Sequence, residues 1–195
     1  TAHGRSVRVL ESQPPINGED LILGLDIELQ ITARQALGDY RGSIVALDPA
    51  TGDVLAFVSN PVYDPNMFVN GISQKNYGKL RDSLDRPLLN RALNGRYAPG
   101  STIKGLVGLA ALEHGISPTS TENCPGWYSL PGSSHRYRCW RHAGHGSVTL
   151  HSAIAQSCDV YFYSVAQQLG IDYLHDFLTE FGLGRRTGID LHNEP

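Results

Sequence analysis

The sequence predicts an α/β protein of the α+β type, an antiparallel sheet accompanied by flanking helices. Three observations carry that expectation. Residues 43–59 read as a β-hairpin, and an apolar run from Leu106 to Leu112 reads as a helix opened by the break Pro99-Gly100. Glycine and proline are also frequent, at 21 and 11 of 195 residues, which suits a loop-rich layered protein better than a helical bundle.

Taken in order, residues 1–26 are extended and polar, with Pro14-Pro15 and Asn17-Gly18 as breaks; Ser6–Leu10 and Leu21–Leu25 read as strands of a linker or small subdomain. Leu29, Ile31, Ala33 and Leu37 recur at helical spacing over Ile27–Leu37, before Gly38. Ser43–Leu47 and Val54–Ser59 are β-branched and apolar, separated by the turn formers Asp48 to Asp53. Residues 60–94 are irregular, with helical turns around Ser73–Leu80. The helix after Gly100 ends near Gly115, a Cys-, His- and Gly-rich stretch occupies Ser117–Gly146, and helices follow at about Leu150–Gln156, Asp159–Leu169 and Asp172–Phe181.

Composition excludes some functions. A net charge of -3 without a basic run gives no footprint for nucleic acid. No apolar stretch approaches membrane-spanning length and no signal peptide opens the chain. Because it begins at Thr1, the chain is expected to be a soluble portion of something longer, any membrane anchor lying upstream. Three cysteines, an odd number, exclude a full disulfide framework.

Ser101-Thr102-Ile103-Lys104 places a hydroxyl and an amine three residues apart at the start of a helix. Such residues share a face, so Lys104 Nζ is expected to reach Ser101 Oγ, near unpaired N–H groups at the positive end of the helix dipole. That arrangement suits a serine nucleophile with lysine as base and an oxyanion held by backbone donors. Alone, it equally fits an N-cap serine with a solvated lysine. Lys104 lies in an apolar segment, where an ammonium must be paired or neutral. A neutral base is expected, its pKa lowered by burial. Ser157-Cys158-Asp159 lies at a break between two helices and offers a second hydroxyl; as an isolated motif it also fits a helix cap. The order and separation of the two motifs favour a paired catalytic constellation of Ser101, Lys104, Ser157 and Asp159.

Asn94-Gly95-Arg96-Tyr97-Ala98-Pro99-Gly100-Ser101-Thr102-Ile103-Lys104 resembles the active-site segment of class B penicillin-binding proteins. Asn60-Pro61-Val62-Tyr63-Asp64-Pro65-Asn66, residues 125–132, Arg136-Tyr137-Arg138-Cys139-Trp140, Gly144-His145-Gly146, Phe181-Gly182-Leu183-Gly184 and Thr187-Gly188-Ile189-Asp190-Leu191 extend the likeness to the elongation-specific group, penicillin-binding protein 2, from about Gly18 onward. The resemblance implies a penicillin-binding protein/β-lactamase-like serine acyl-transferase domain, a five-stranded antiparallel sheet with flanking helices and a helical subdomain. Residues 1–26 would be a linker or remnant of an N-terminal pedestal, and 27–195 the N-terminal portion of the transpeptidase domain.

The implied activity is a D,D-transpeptidase that cross-links peptidoglycan stem peptides in cell-wall elongation and is acylated by β-lactams. Its implied place is the periplasmic side of the bacterial inner membrane, with a membrane glycosyltransferase and an elongation scaffold protein as partners. A serine β-lactamase needs a further deacylating base, for which no glutamate motif stands out; a β-lactam-sensing receptor domain is the other alternative. Two departures matter. Asp159 stands where much of the wider superfamily has Asn, and when ionised it accepts hydrogen bonds but cannot donate one. The K-T-G element is missing; Arg186-Thr187-Gly188 follows Ser157 too soon to replace it. The chain is therefore expected to be C-terminally incomplete, with a second fragment or further portion completing the sheet.

Cys124, Cys139 and Cys158 cluster around these motifs, with His142 and His145 between the last two. Thiolate and imidazole ligands describe a closed structural Zn²⁺ site of Cys₃His type; one disulfide with a free thiol, or three free thiols, are the alternatives. The resemblance implies zinc here and favours His145, in the turn Gly144-His145-Gly146, over its rival His142. His135 and His151 read as surface or packing residues. No cofactor is required by the acyl transfer itself.

Overall fold

The computed structural model describes residues 16–192 together with Glu194, so the expected strand Ser6–Leu10 lies outside the described residues. Contacts divide the chain into two compact units at Ala92/Leu93.

In the first unit, helix α1 (Ile27–Leu37) starts at Asp26, whose carboxylate accepts from the N–H groups of Glu28 and Leu29, and stops at Gly38 with φ 54°. Strands β1 (Gly42–Leu47) and β2 (Val54–Asn60) pair antiparallel, Ile44 facing Val58 and Ala46 facing Ala56. The expected hairpin is thus present. Ala33 of α1 packs on Ala56 and Val58, and the Gln30 side chain acts as a short substitute strand: Nε2 donates to Phe57 O at 3.0 Å and Oε1 accepts from Phe57 N at 2.7 Å. Leu21–Leu25 does not form a strand. Just beyond it Asp26 N donates to Leu55 O, and Ile22 is 98% exposed. Alternation alone does not make a strand without a ladder partner. A 3₁₀ turn (Pro65–Phe68), α2 (Gln74–Arg81) capped by Ser73, and the single helical turn α3 (Arg91–Asn94) follow.

The second unit opens with a 3₁₀ turn (Gly100–Ile103) that runs into α4 (Lys104–Glu113). Only one face of α4 is buried, through Val107, Gly108, Ala110 and Ala111, while Leu109 and Leu112 are exposed. Two small ribbons follow: β3 (Glu122–Cys124) pairs with β6 (Gly146–Val148), and β4 (Trp127–Tyr128) with β5 (Tyr137–Arg138). Helices α5 (Leu150–Ala155), α6 (Asp159–Leu169) and α7 (Ile171–Glu180) complete the unit. Helix α6 is its centre: Val160, Tyr161, Phe162, Val165 and Leu169 are buried with Val107, Ala110 and Ala111. Each buried Val, Leu or Phe side chain here contributes about 1.5–3 kcal/mol. Among the described residues the strands form three two-stranded sheets, and Thr187-Gly188 lies in no strand.

Two glycines lock the ribbons together. Gly126 (φ 95°) and Gly144 (φ 81°) lie back to back, and an added Cβ would stand 2.1 Å from His142 O or 2.2 Å from Cys124 O. Backbone cannot yield there as a side-chain tip could. Gly144→Ala is therefore expected to destabilise this unit by at least about 3 kcal/mol, combining positive-φ strain with a steric clash. A thermal melt within a degree or two of the parent would contradict the packing.

Candidate active site and metal centre

The loop between α5 and α6 is built by a Schellman turn. Ser157 N donates to Ile154 O and Cys158 N to Ala153 O, which places Ser157 in the left-handed region at φ 50°, the position usually given to glycine. A serine there costs about 1–3 kcal/mol of backbone strain, a cost that the hydroxyl offsets only through what it touches. Ser157 Oγ donates to Ser101 Oγ at 2.9 Å and accepts from Lys104 Nζ at 3.0 Å. Three side chains from two chain segments thus form one continuous hydrogen-bonded line, Lys104–Ser157–Ser101.

The details differ from the sequence expectation. Lys104 Nζ bonds to Ser157 O at 2.9 Å, to Ser157 Oγ, and to Asp159 Oδ1 at 2.6 Å, not to Ser101 directly. Because Ser101 lies in the 3₁₀ turn and Lys104 is the first residue of α4, ideal i, i+3 helical stacking does not apply between them. Lys104 Nζ and Asp159 Oδ1 form a salt bridge, with side chains only 12% and 23% exposed. Phe162 lies beneath it, its ring centroid 5.6 Å from Nζ. Asp159, at the dipole-favoured start of α6, also accepts from Trp140 N at 3.0 Å through Oδ2. Burial would raise the Asp159 pKa, but the hydrogen bonds from Lys104 and Trp140 outweigh it and hold the carboxyl below its usual range. Through its two oxygens Asp159 thus ties Lys104 to the Trp140 backbone. Tyr161 and Phe162 are buried packing residues, whereas Tyr163 is partly exposed.

Directly behind the loop, one ligand atom from each of Cys124, Cys139, His145 and Cys158 lies within 4.8 Å of the others. His145 Nδ1 is 3.5 Å from Cys124 Sγ and 3.6 Å from Cys139 Sγ. All three cysteines are buried and free, so no disulfide joins them. His142 is exposed and lies outside the cluster, as do His135 and His151. Burial pushes the Cys158 thiol up to about 12, with Cys124 and Cys139 facing it. Burial also acts to raise Cys124, yet the N–H groups of His145 and Gly126 and the neighbouring thiols bring it below its usual value. Burial and Arg141 hold the His145 imidazole low, hence neutral. Three soft donors and a neutral imidazole, close enough for tetrahedral bonds of about 2.0–2.3 Å after slight contraction, fit Zn²⁺. Trp140 was not expected from the sequence. Its indole donates to Gln156 O at 2.9 Å and its ring meets His145 edge-on at 5.3 Å, so it clamps the serine loop to the cysteine cluster. The adjacency Cys139-Trp140 was the available signal.

The family profile described as "Penicillin binding protein transpeptidase domain" matches residues 42–195. The chain belongs to this family. Peptidoglycan D,D-transpeptidase MrdA of Acinetobacter baumannii is 48% identical over 194 residues, covering 99% of this chain and 29% of the relative. Among solved structures, Pseudomonas aeruginosa PBP2 in complex with WCK 5153 superposes with a TM-score of 0.84 at 53% identity, over 93% of this chain and 41% of that one. The complex between PBP2 and MreC from Helicobacter pylori gives a TM-score of 0.80 at 41% identity, over 88% of this chain and 32% of that one. The chain thus spans less than half the length of these penicillin-binding proteins, and the expected transpeptidase fold is the one its neighbours share. No helix among the described residues is long and apolar enough to cross a membrane.

Proposed function

We propose that this chain supplies the nucleophile, base and relay of a peptidoglycan D,D-transpeptidase that cross-links stem peptides in cell-wall elongation. The observation that carries the reading is the Lys104–Ser157–Ser101 line. Ser101 Oγ attacks the penultimate D-Ala carbonyl, its proton passing through Ser157 Oγ to Lys104 once that amine is neutral. Backbone N–H groups at the start of the 3₁₀ turn face the developing oxyanion. The polarity of the resting line, ammonium to Ser157 to Ser101, is the one needed next: Ser157 donates a proton to the departing D-Ala amine, and Lys104 replenishes it. An amine of a neighbouring stem peptide then attacks the acyl-enzyme and releases Ser101.

Residues 27–195 form, on this reading, the N-terminal portion of the transpeptidase domain and 1–26 a linker or pedestal remnant, the K-T-G strand being supplied by a further part of the protein. The site of action is the periplasmic side of the inner membrane, with a membrane glycosyltransferase and an elongation scaffold of the MreC kind as partners; the H. pylori complex supports the latter. Cys124, Cys139, His145 and Cys158 would hold a structural Zn²⁺, whose contribution is to tie both ribbons to the residue that follows Ser157.

The test is the intact mass of the full-length protein after exposure to benzylpenicillin. One stable adduct on Ser101, absent in Ser101→Ala, together with cross-linking of a stem-peptide donor to an amine acceptor, is expected. Rapid loss of the adduct would indicate a β-lactamase, and a stable adduct with no peptide turnover would indicate a receptor; either outcome contradicts the transpeptidase reading.

A further inference from the structure

Between Glu122 and Asp159 the chain has no carboxylate, yet it carries Arg136, Arg138 and Arg141 in a protein of net charge -3. None of the three forms a salt bridge among the described residues. Arg138 faces Trp127 across the β4–β5 ribbon, and cross-strand partners project from the same face. Arg136 lies just before β5 and reaches the same Trp127. Its guanidinium carbon stands 4.2 Å from the centre of the Trp127 ring. These side chains, with His142 and Gly126, line a cavity of about 190 Å³. It shares no residue with the Lys104–Ser157–Ser101 line.

Arg136 and Arg138 are exposed, and two like charges on one face of a ribbon repel mildly in water, a repulsion that an anion placed between them would remove. The cation–π contact with the indole holds the Arg136 guanidinium over the ring, and its N–H donors can form a forked bond to two oxygens. The indole also offers an apolar shelf beside that fork, suited to a ligand whose charge sits at the end of a short carbon chain. The cavity is smaller than the roughly 300–1,000 Å³ of sites for drug-sized ligands, so it takes one group and not a whole molecule. We infer that Trp127, Arg136, Arg138 and His142 form a subsite for a peptide carboxylate, at a side chain or chain end. Phosphate shares the charge but not the need for an aromatic shelf. The inference stands apart from the acyl-transfer reading, because the subsite binds its carboxylate whether or not Ser101 reacts.

Calorimetric titration of the full-length protein tests it, with the dipeptide Ala-Glu, its fully amidated counterpart and inorganic phosphate as probes. Ala-Glu is expected to bind in the millimolar range, and Arg136→Gln or Arg138→Gln to weaken it about tenfold or more. The amidated peptide should not bind, and both variants should label with fluorescent penicillin at the parent rate, which shows that they are folded. Equal binding of acid and amide, phosphate binding as tight as that of Ala-Glu, parental affinity in both variants, or no detectable heat with Ala-Glu would each overturn the assignment.

Discussion

Lys104→Arg is expected to slow acylation of Ser101 by about 10²–10⁴-fold, the range that positioned proton transfer contributes. The substitution separates two roles that Lys104 combines. Arginine keeps a cation beside Asp159, so the partly buried ion pair at 2.6 Å need not be broken, but a guanidinium cannot accept a proton. Lys104→Ala adds a structural penalty, because it leaves a carboxylate at 23% exposure without its cationic partner, with Trp140 N and the Cys139 thiol as its remaining donors, at a cost of about 1–3 kcal/mol. The arginine variant is expected to be well folded and slow, and the alanine variant slow and less stable. Stopped reactions with benzylpenicillin, read by intact mass, and thermal melts distinguish them. A Lys104→Arg protein within tenfold of the parent rate would remove the base from the mechanism.

Cys158→Ala is expected to release bound zinc and slow Ser101 acylation, although every residue of the hydrogen-bonded line is left in place. Cys158 is both the last residue before α6 and a member of the donor cluster, so a metal held there fixes the strained backbone of Ser157. Loss of a residue that supports a site in this way costs about 10–100-fold. The unit carrying the cluster should also melt earlier, since metal affinity is folding free energy. Chelation of the parent protein should reproduce the rate loss, and added Zn²⁺ should reverse it. A zinc-free protein acylated at full rate would disconnect the cluster from the serine loop.

Local signals were legible where local physics decides the structure. Asp26 and Gly38 bracket α1 because a carboxylate can cap free N–H groups and glycine can turn left-handed. The hairpin was legible from β-branched runs around Asp48–Asp53. Leu21–Leu25 shows the limit, since alternation does not reveal whether a partner strand exists. At the site, Ser101, Lys104, Ser157 and Asp159 were each visible as residue types at motif spacing. What spacing could not give was connectivity: Lys104 reaches Ser101 through Ser157, because the Schellman turn aims that hydroxyl between them. Nor could it show both Asp159 oxygens already occupied, one by a backbone N–H from a loop 19 residues away. The turn Gly144-His145-Gly146 already favoured His145 over His142, and the structure agrees, with His145 beside the thiols and His142 exposed; what the sequence could not show was the tight crossing of Gly126 and Gly144.

On the proposed mechanism Ser157 and Lys104 act as one relay upon Ser101. A double-mutant cycle on the acylation rate probes this coupling, using Ser157→Ala, Lys104→Arg and their combination in the full-length protein. Residues that serve a single proton path are strongly non-additive, so the double variant should be no slower than the slower single. Two losses that multiply would mean that the hydroxyl and the amine act independently, and would contradict the relay.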